Sequence, residues 1–292
     1  MNAKSTGLNS VTTVSCITAP NPGPFTYLGT NSYVVGDETV IVVDPGPDDD
    51  THLAALLADI GQRVVSHVFV THTHRDHSPL AAKLKALTGA VTVGEGPHRF
   101  INTGGQAFAD VMDASADLLF IPDLTVKDGD QIRCGGFAMT AIATPGHAEN
   151  HMAFSLEGTG TLFSGDHVMG WATTIVAPPD GSMQRYLDSL DRLISRDDRL
   201  YLPGHGEKIE NPRQRVRALK THRLQREAAI LEKIRQGEKT LNRIVETVYA
   251  STDKRLHGAA ALTAMAHLER LQNLGGISIA GSNGFEATYA VI

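Results

Sequence analysis

Thr71-His-Thr-His-Arg-Asp-His77 follows directly on the apolar run Val64-Val-Ser-His-Val-Phe-Val70, and it places His72, His74, Asp76 and His77 within six positions. A short apolar, β-branched run reads as a buried strand. What stands at its end is harder to explain structurally. A buried imidazole needs partners for both ring nitrogens, and a buried carboxylate is costly unless paired or bound to metal. A polar turn accounts for one such histidine but not for the set, so the cluster reads as a metal site.

The same pattern recurs along the chain. Val40-Ile-Val-Val43 ends in Asp44-Pro-Gly, Met139–Ala143 in Thr144-Pro-Gly-His147, and Thr161-Leu-Phe163 in Ser164-Gly-Asp-His167. Leu200-Tyr-Leu202 ends in Pro203-Gly-His-Gly206. Each strand-like run delivers an Asp or His at its C-terminal end, usually beside a glycine that permits close backbone approach. Ligands in layered α/β folds sit outside the carboxyl ends of strands, so these tips are expected to converge. Gathered together they give seven candidate ligands: His72, His74, Asp76, His77, His147, Asp166 and His205. One tetrahedral zinc takes four ligands at most. Seven suit two ions, ~3.5–4 Å apart, sharing a bridging carboxylate and water.

With 292 residues, the chain is long enough for one large α/β domain and a small appendage. Two cysteines, Cys16 and Cys134, cannot build a disulfide framework, and a reducing, cytoplasmic location fits them best. The N-terminus has no secretory pattern and no run approaches the ~20 apolar residues of a membrane span. Charge divides the chain. Residues 1–208 hold 13 Lys and Arg against 24 Asp and Glu, whereas residues 209–292 hold 13 against 8. An acidic body with a basic tail suggests two modules.

Residues 1–10 are expected to be flexible, with a catalytic domain over 11–210 and a smaller one over 211–292. Asp50-Thr51 can cap a helix carrying Leu53, Leu56, Leu57 and Ile60. Ser78 reads as an N-cap with Pro79 in the first turn of a helix ended by Gly89. Residues 94–130 read as a long loop region with short elements, and a further helix is expected from Gln184 to Ile194. Asn211-Pro212 opens a helix continued by Leu224, Ala228, Leu231 and Ile234. Helices over 241–249 and 258–274 follow, then a hairpin over 277–291 with Gly281-Ser-Asn-Gly284 as its turn. Three helices and a hairpin is the order of a winged helix.

His72-Thr-His-Arg-Asp-His77, Thr144-Pro-Gly-His147, Ser164-Gly-Asp166 and Pro203-Gly-His205 resemble, in order, the successive motifs of the metallo-β-lactamase-fold hydrolases. The resemblance implies a four-layer αββα sandwich over residues ~20–210, followed here by the small C-terminal winged-helix domain. It further implies one metal held by His72, His74 and His147, the other by Asp76, His77 and His205, with Asp166 bridging. Asp44 matches the family's supporting aspartate beneath the site, and a plain turn aspartate accounts for it equally well. Asn21-Pro-Gly-Pro-Phe-Thr26 and Gly29-Thr-Asn-Ser-Tyr33, with the winged helix, are similar to a lactamase-like, glyoxalase II-like subgroup that includes a mitochondrial endoribonuclease. Ser78-Pro-Leu80 departs from the glycines common after the motif, which touches pocket shape more than metal binding.

The implied activity is dinuclear hydrolysis. The cofactors would be two divalent ions, Zn2+ first with Mn2+ or Fe2+ as substitutes, supplying a bridging hydroxide that Asp76 orients. The expected substrate is a small ester, thioester or related acyl compound. Single-stranded RNA cleavage is the alternative, the 39 positions from Asp166 to His205 being too few for the inserted domain of one nuclease branch. β-Lactam opening, a mononuclear iron dioxygenase and a nucleic-acid-binding protein with a vestigial site complete the set. His151 and His167 read as supporting or core histidines, and His98, His222 and His257 as surface ones. Met169 and Trp171 read equally as pocket lining or packing. Arg213, Arg215, Arg217, Lys220, Arg223 and Arg226 read first as a solvated helix face and second as a nucleic-acid surface. No membrane association is expected, and a homodimer is allowed for.

Overall fold

The computed structural model describes residues 13–99, 115–281 and 286–292. Alternation along the strands explains its layering. In β2 (Asn31–Gly36) and β3 (Thr39–Val43), Tyr33, Val35, Ile41 and Val43 point one way while Val34, Val40 and Val42 point the other. Period-2 side chains buried on both faces require cover on both faces. The six-stranded sheet runs in the order β1 (Val14–Thr18), β2, β3, β4 (Val64–Phe69), β5 (Val91–Gly94), β6 (Leu124–Thr125). A five-stranded sheet runs β11 (Leu200–Pro203), β10 (Thr161–Gly165), β9 (Met152–Leu156), β8 (Phe137–Ala143), β7 (Gln131–Cys134).

Between the sheets, Val35, Ile41, Val43 and Phe69 meet Met139, Ala141, Met152, Phe154 and Phe163 in the central core. On the outer face of the first sheet, helices α1 (Asp50–Ile60) and α2 (Leu80–Thr88) cover Val34, Val42 and Val68 with Leu56, Ile60, Leu80 and Leu84. Outside the second, α3 (Met183–Ile194) and the first turns of α4 (Pro212–Arg235) cover Ile142, Leu162 and Tyr201 with Tyr186, Leu190, Val216 and Leu219. Four layers in the order αββα result, as expected.

α4, α5 (Leu241–Val248), α6 (His257–Asn273) and the hairpin β12 (Ile277–Ala280) with β13 (Thr288–Val291) enclose a separate core of Ile230, Ile234, Ile244, Leu268, Ile277 and Tyr289. This is the winged-helix order read from the sequence. Its turn residues 282–284, the residues 1–12 and part of the 94–130 loop lie outside the described residues.

Two cap assignments change. Asp49, not Asp50 or Thr51, caps α1 by accepting from the His52 amide. α2 begins at Leu80, with no side-chain cap; Ser78 instead donates to the Asp117 carboxylate at 2.6 Å. Where each helix starts depends on how the incoming loop is anchored, which helical periodicity does not record.

Strand direction decides where the site lies. β3 and β4 are parallel, as are β10 and β11, and β8 is brought parallel to β10 through antiparallel β9. The tips carrying Asp44, His72–His77, His147, Asp166 and His205 therefore share one edge of the sandwich.

Candidate metal centre

Asp44 organises the base of the cluster. It sits at φ +50°, a left-handed conformation in which its carboxylate can turn back on its own sheet. Oδ1 accepts from the Thr71 amide at 2.7 Å, and Oδ2 accepts from Thr71 Oγ1 at 2.8 Å and from His77 Nδ1 at 2.9 Å. A single buried carboxylate thus fixes both ends of the motif.

The other imidazoles are oriented in the same manner. Because the Thr71 hydroxyl hydrogen goes to Asp44, its oxygen accepts from His72 Nδ1 at 3.0 Å. His147 Nδ1 donates to the Ile175 carbonyl at 2.7 Å, and His205 Nδ1 to the Gly29 carbonyl at 3.1 Å. His74 is turned the other way, its Nε2 donating to Asp180 at 2.9 Å. Each ring spends its hydrogen outward, which fixes the tautomer and turns the remaining lone pair inward.

Those inward nitrogens crowd one another. His74 Nδ1 lies 3.0 Å from His72 Nε2 and 3.1 Å from His147 Nε2. Lone pairs at this separation repel unless a cation stands between them. The second half of the cluster is anionic. Asp76 Oδ2 is 3.1 Å from His205 Nε2 and 3.4 Å from His77 Nε2. Asp166 faces both halves: Oδ1 is 3.5 Å from His77 Nε2, while Oδ2 is 3.3 Å from His205 Nε2 and 3.7 Å from His147 Nε2. His77 Nε2 and Asp166 Oδ1 are buried with no hydrogen-bond partner. Donor atoms within 4.8 Å of one another come from His72, His74 and His147, from Asp76, His77 and His205, and from His72, His77 and Asp166. Nitrogen and carboxylate donors in this arrangement fit divalent transition ions.

Electrostatics distinguishes the donors. Within the first half, burial disfavours charge on His74, but the hydrogen bond and charge of Asp180 outweigh it and raise the imidazole above its usual range. Burial holds His72 well below the usual imidazole range and pushes His147 down to about 4, so both are neutral donors at neutral pH. Burial opposes ionisation of Asp166 too, yet the imidazoles of His205 and His77 outweigh it and hold its carboxyl well below the usual range. Conversely, burial disfavours charge on His205, but Asp166 and Asp76 push it up to about 10. The carboxylates demand positive charge, from protons or from metal.

Supporting contacts fix the tips. His151 directs no nitrogen at the cluster: its Nε2 accepts from the Asp166 amide at 3.2 Å and its Nδ1 donates to Thr144 Oγ1 at 2.8 Å. Asn31 Nδ2 donates to the carbonyls of Pro203 at 3.1 Å and Gly206 at 2.8 Å, and Tyr33 Oη to Pro203 at 2.7 Å, so Gly29–Tyr33 clasps the loop of His205. Gly204 is required by space. A Cβ there would stand 2.4 Å from Asp166 Oδ1 and 2.6 Å from His77 Cε1.

Sequence reasoning missed Asp180. It is fully buried, and besides His74 it accepts from the Glu149 amide at 3.0 Å. The only signal was the rigid Pro178-Pro-Asp-Gly181 turn before the Ser182 cap of α3. Two histidines expected at the surface are also placed otherwise. His98 approaches Thr73 Oγ1 at 2.9 Å, and His222 lines the cleft.

That cleft, about 710 Å3, opens on His74, Asp76, His147, Asp166 and His205. Met169 and Trp171 line it, and α4, the Tyr249–Thr252 turn and α6 supply much of its wall. The arginines of α4 hold the neighbouring loop. Arg215 donates to the carbonyls of Met169 at 2.8 Å and Ala172 at 2.7 Å, and Arg223 donates to that of Thr174. Thr174 Oγ1 in turn lies 3.2 Å from His147 Nδ1.

A family model described as the Metallo-beta-lactamase superfamily matches residues 26–205, and one described as the Beta-lactamase associated winged helix domain matches residues 240–283. The chain is similar to a beta-lactamase-like protein 2 homolog of Drosophila melanogaster, 28% identical over 270 residues, 90% of this chain and 88% of that protein. It is also similar to an atrochrysone carboxyl ACP thioesterase of Aspergillus fumigatus, 32% identical over 218 residues, 72% of this chain but only 61% of that protein. A solved metallo-beta-lactamase family protein from Thermus thermophilus shares the fold at a TM-score of 0.77, with 24% identity and coverage of 96% of this chain and 98% of that one.

Proposed function

The chain belongs to the metallo-beta-lactamase superfamily of hydrolases, and on that premise we propose that it uses two divalent ions, Zn2+ first among them, to hydrolyse a small ester or thioester. The observation that carries the reading is the inward turn of five imidazoles, three of them toward Asp76 and Asp166, on a cleft walled mainly by uncharged side chains. His72, His74 and His147 would hold one ion, and Asp76, His77 and His205 the other, with Asp166 between them. Bound there, the ions supply a water deprotonated near neutral pH and positive charge on the carbonyl oxygen. Asp76, which also accepts from Thr30 Oγ1 at 3.3 Å, would orient that water. The similarity to a named thioesterase favours a thioester.

The endoribonuclease alternative has less support. Arg213 pairs with Asp197, Lys220 pairs with Asp191, and Arg215 and Arg223 donate to carbonyls of the chain itself. Side chains so engaged are poorly placed to meet a phosphate backbone. No helix among the described residues is long and apolar enough to cross a membrane.

Elemental analysis of protein purified without added metal, followed by a panel of thioesters, esters, a β-lactam and single-stranded RNA, tests the reading. Two ions per chain and thioester turnover lost in Asp166→Ala are expected. One ion unaffected by that substitution, or RNA as the sole substrate turned over, overturns it.

A further inference from the structure

His222, Arg223 and Arg226 lie on one side of α4 and line the same cleft as the candidate metal ligands. The guanidinium charges of Arg223 and Arg226 meet no carboxylate partner among the described residues. Arg223 is 3% exposed; one Nη donates to the Thr174 carbonyl, and Nε is buried with no acceptor. Arg226 donates Nη1 to the Val248 carbonyl at 2.7 Å and lies over the Tyr249 ring, 5.0 Å from its centroid. Carbonyls and a ring face satisfy hydrogens but carry no compensating charge. The neighbouring carboxylate, Glu227, is already engaged by Arg270 and His267. Among the described residues no ion pair involves Arg223 or Arg226. Burial and the adjacent Arg223 and Arg226 hold His222 below its ordinary range, a sign of the same unbalanced positive field.

A buried guanidinium without a counter-ion is expensive to maintain. Fastening a loop carbonyl needs only one neutral donor, so that role does not account for the charge. Guanidinium groups match the planar oxygens of carboxylates and phosphates.

We propose that this end of the cleft binds an oxyanion carried by the substrate, a carboxylate or a phosphate, while the scissile acyl group lies at the metal centre. The proposal rests on the acyl-hydrolase reading above. The substrate is then an acidic acyl compound, or an acyl group on a phosphate-bearing thiol.

Three non-hydrolysable thioethers separate the cases: S-butylpantetheine, its 4′-phosphate, and S-(3-carboxypropyl)pantetheine. Calorimetric titration of the metal-replete full chain should find one of the two anionic ligands bound about tenfold more tightly than the neutral one. Which of them prevails identifies the source of the anion. In Arg226→Gln and Arg223→Gln the ratio should fall toward one, while Arg223→Lys should retain most of it. The ratio is internal to each variant, so a general loss of affinity cancels. If Arg223→Gln does not fold, the half-buried Arg226 decides. Equal affinity for all three ligands in the unaltered protein, or a preference that survives both glutamine substitutions, overturns the proposal. Failure to hydrolyse the corresponding thioesters would overturn the acyl reading alone, because the binding ratio does not depend on turnover.

Discussion

Among the described residues Asp180 hydrogen-bonds one member of the cluster, His74, yet it decides which nitrogen of that ring faces inward. Burial disfavours its charge, but the hydrogen bond to His74 outweighs that and holds its carboxyl below the usual range. Replacing it with asparagine keeps the volume and removes the anionic acceptor. Supporting groups of this kind typically change metal affinity by about 10–100-fold. Asp180→Asn should therefore weaken metal binding by that factor in a chelator competition, with the fold intact by circular dichroism. Unchanged affinity would reduce Asp180 to an element of the 178–181 turn. The residue was illegible in the sequence because its partner lies 106 positions away. Asp44, by contrast, stood at the end of an apolar strand like the ligands themselves.

At the scale of elements, α4 is the junction. Val216 and Leu219 belong to the core outside the second sheet, whereas Ile230 and Ile234 belong to the winged-helix core. Its polar side was read first as solvated, but Arg215 and Arg223 turn toward the loop that carries Thr174 and Ile175. α6 contributes a pH effect. Burial pushes Glu269 up to about 7 from 4.5. Between those values the folded chain keeps a proton that the unfolded chain has lost, so stability falls as pH rises through that window. Glu269→Gln should then stabilise the protein increasingly from pH 5 to 8, by about 2 kcal/mol at the upper end after allowing for solvent screening. Thermal unfolding across that range would show it. A difference independent of pH would mean that Glu269 is solvated in the native state.

For the whole molecule, the cleft needs both parts of the chain. Removing residues 211–292 takes away its α4 and α6 walls and uncovers Tyr186, Leu190 and Leu162, which pack against Val216, Leu219 and Ala266. Each large apolar side chain exposed costs about 1.5–3 kcal/mol against a total margin of about 5–15. The truncated chain should aggregate or bind a hydrophobic dye; a monodisperse, cooperatively melting 1–210 fragment would contradict the shared core. By itself the sequence determined the strands that end in candidate ligands, the donor types and their place at strand tips, because period-2 burial and metal-binding chemistry are written in local spacing; β5 and β7, short and ending in no such residue, were not legible in it. It also determined the winged-helix order, through helical stripes and turn residues. Tertiary structure alone decided which nitrogen of each histidine faces inward, that Asp180 joins the site, and that basic residues of α4 line the cleft. Those outcomes depend on contacts between segments tens to more than a hundred positions apart, where direction and burial, not residue type, set the chemistry.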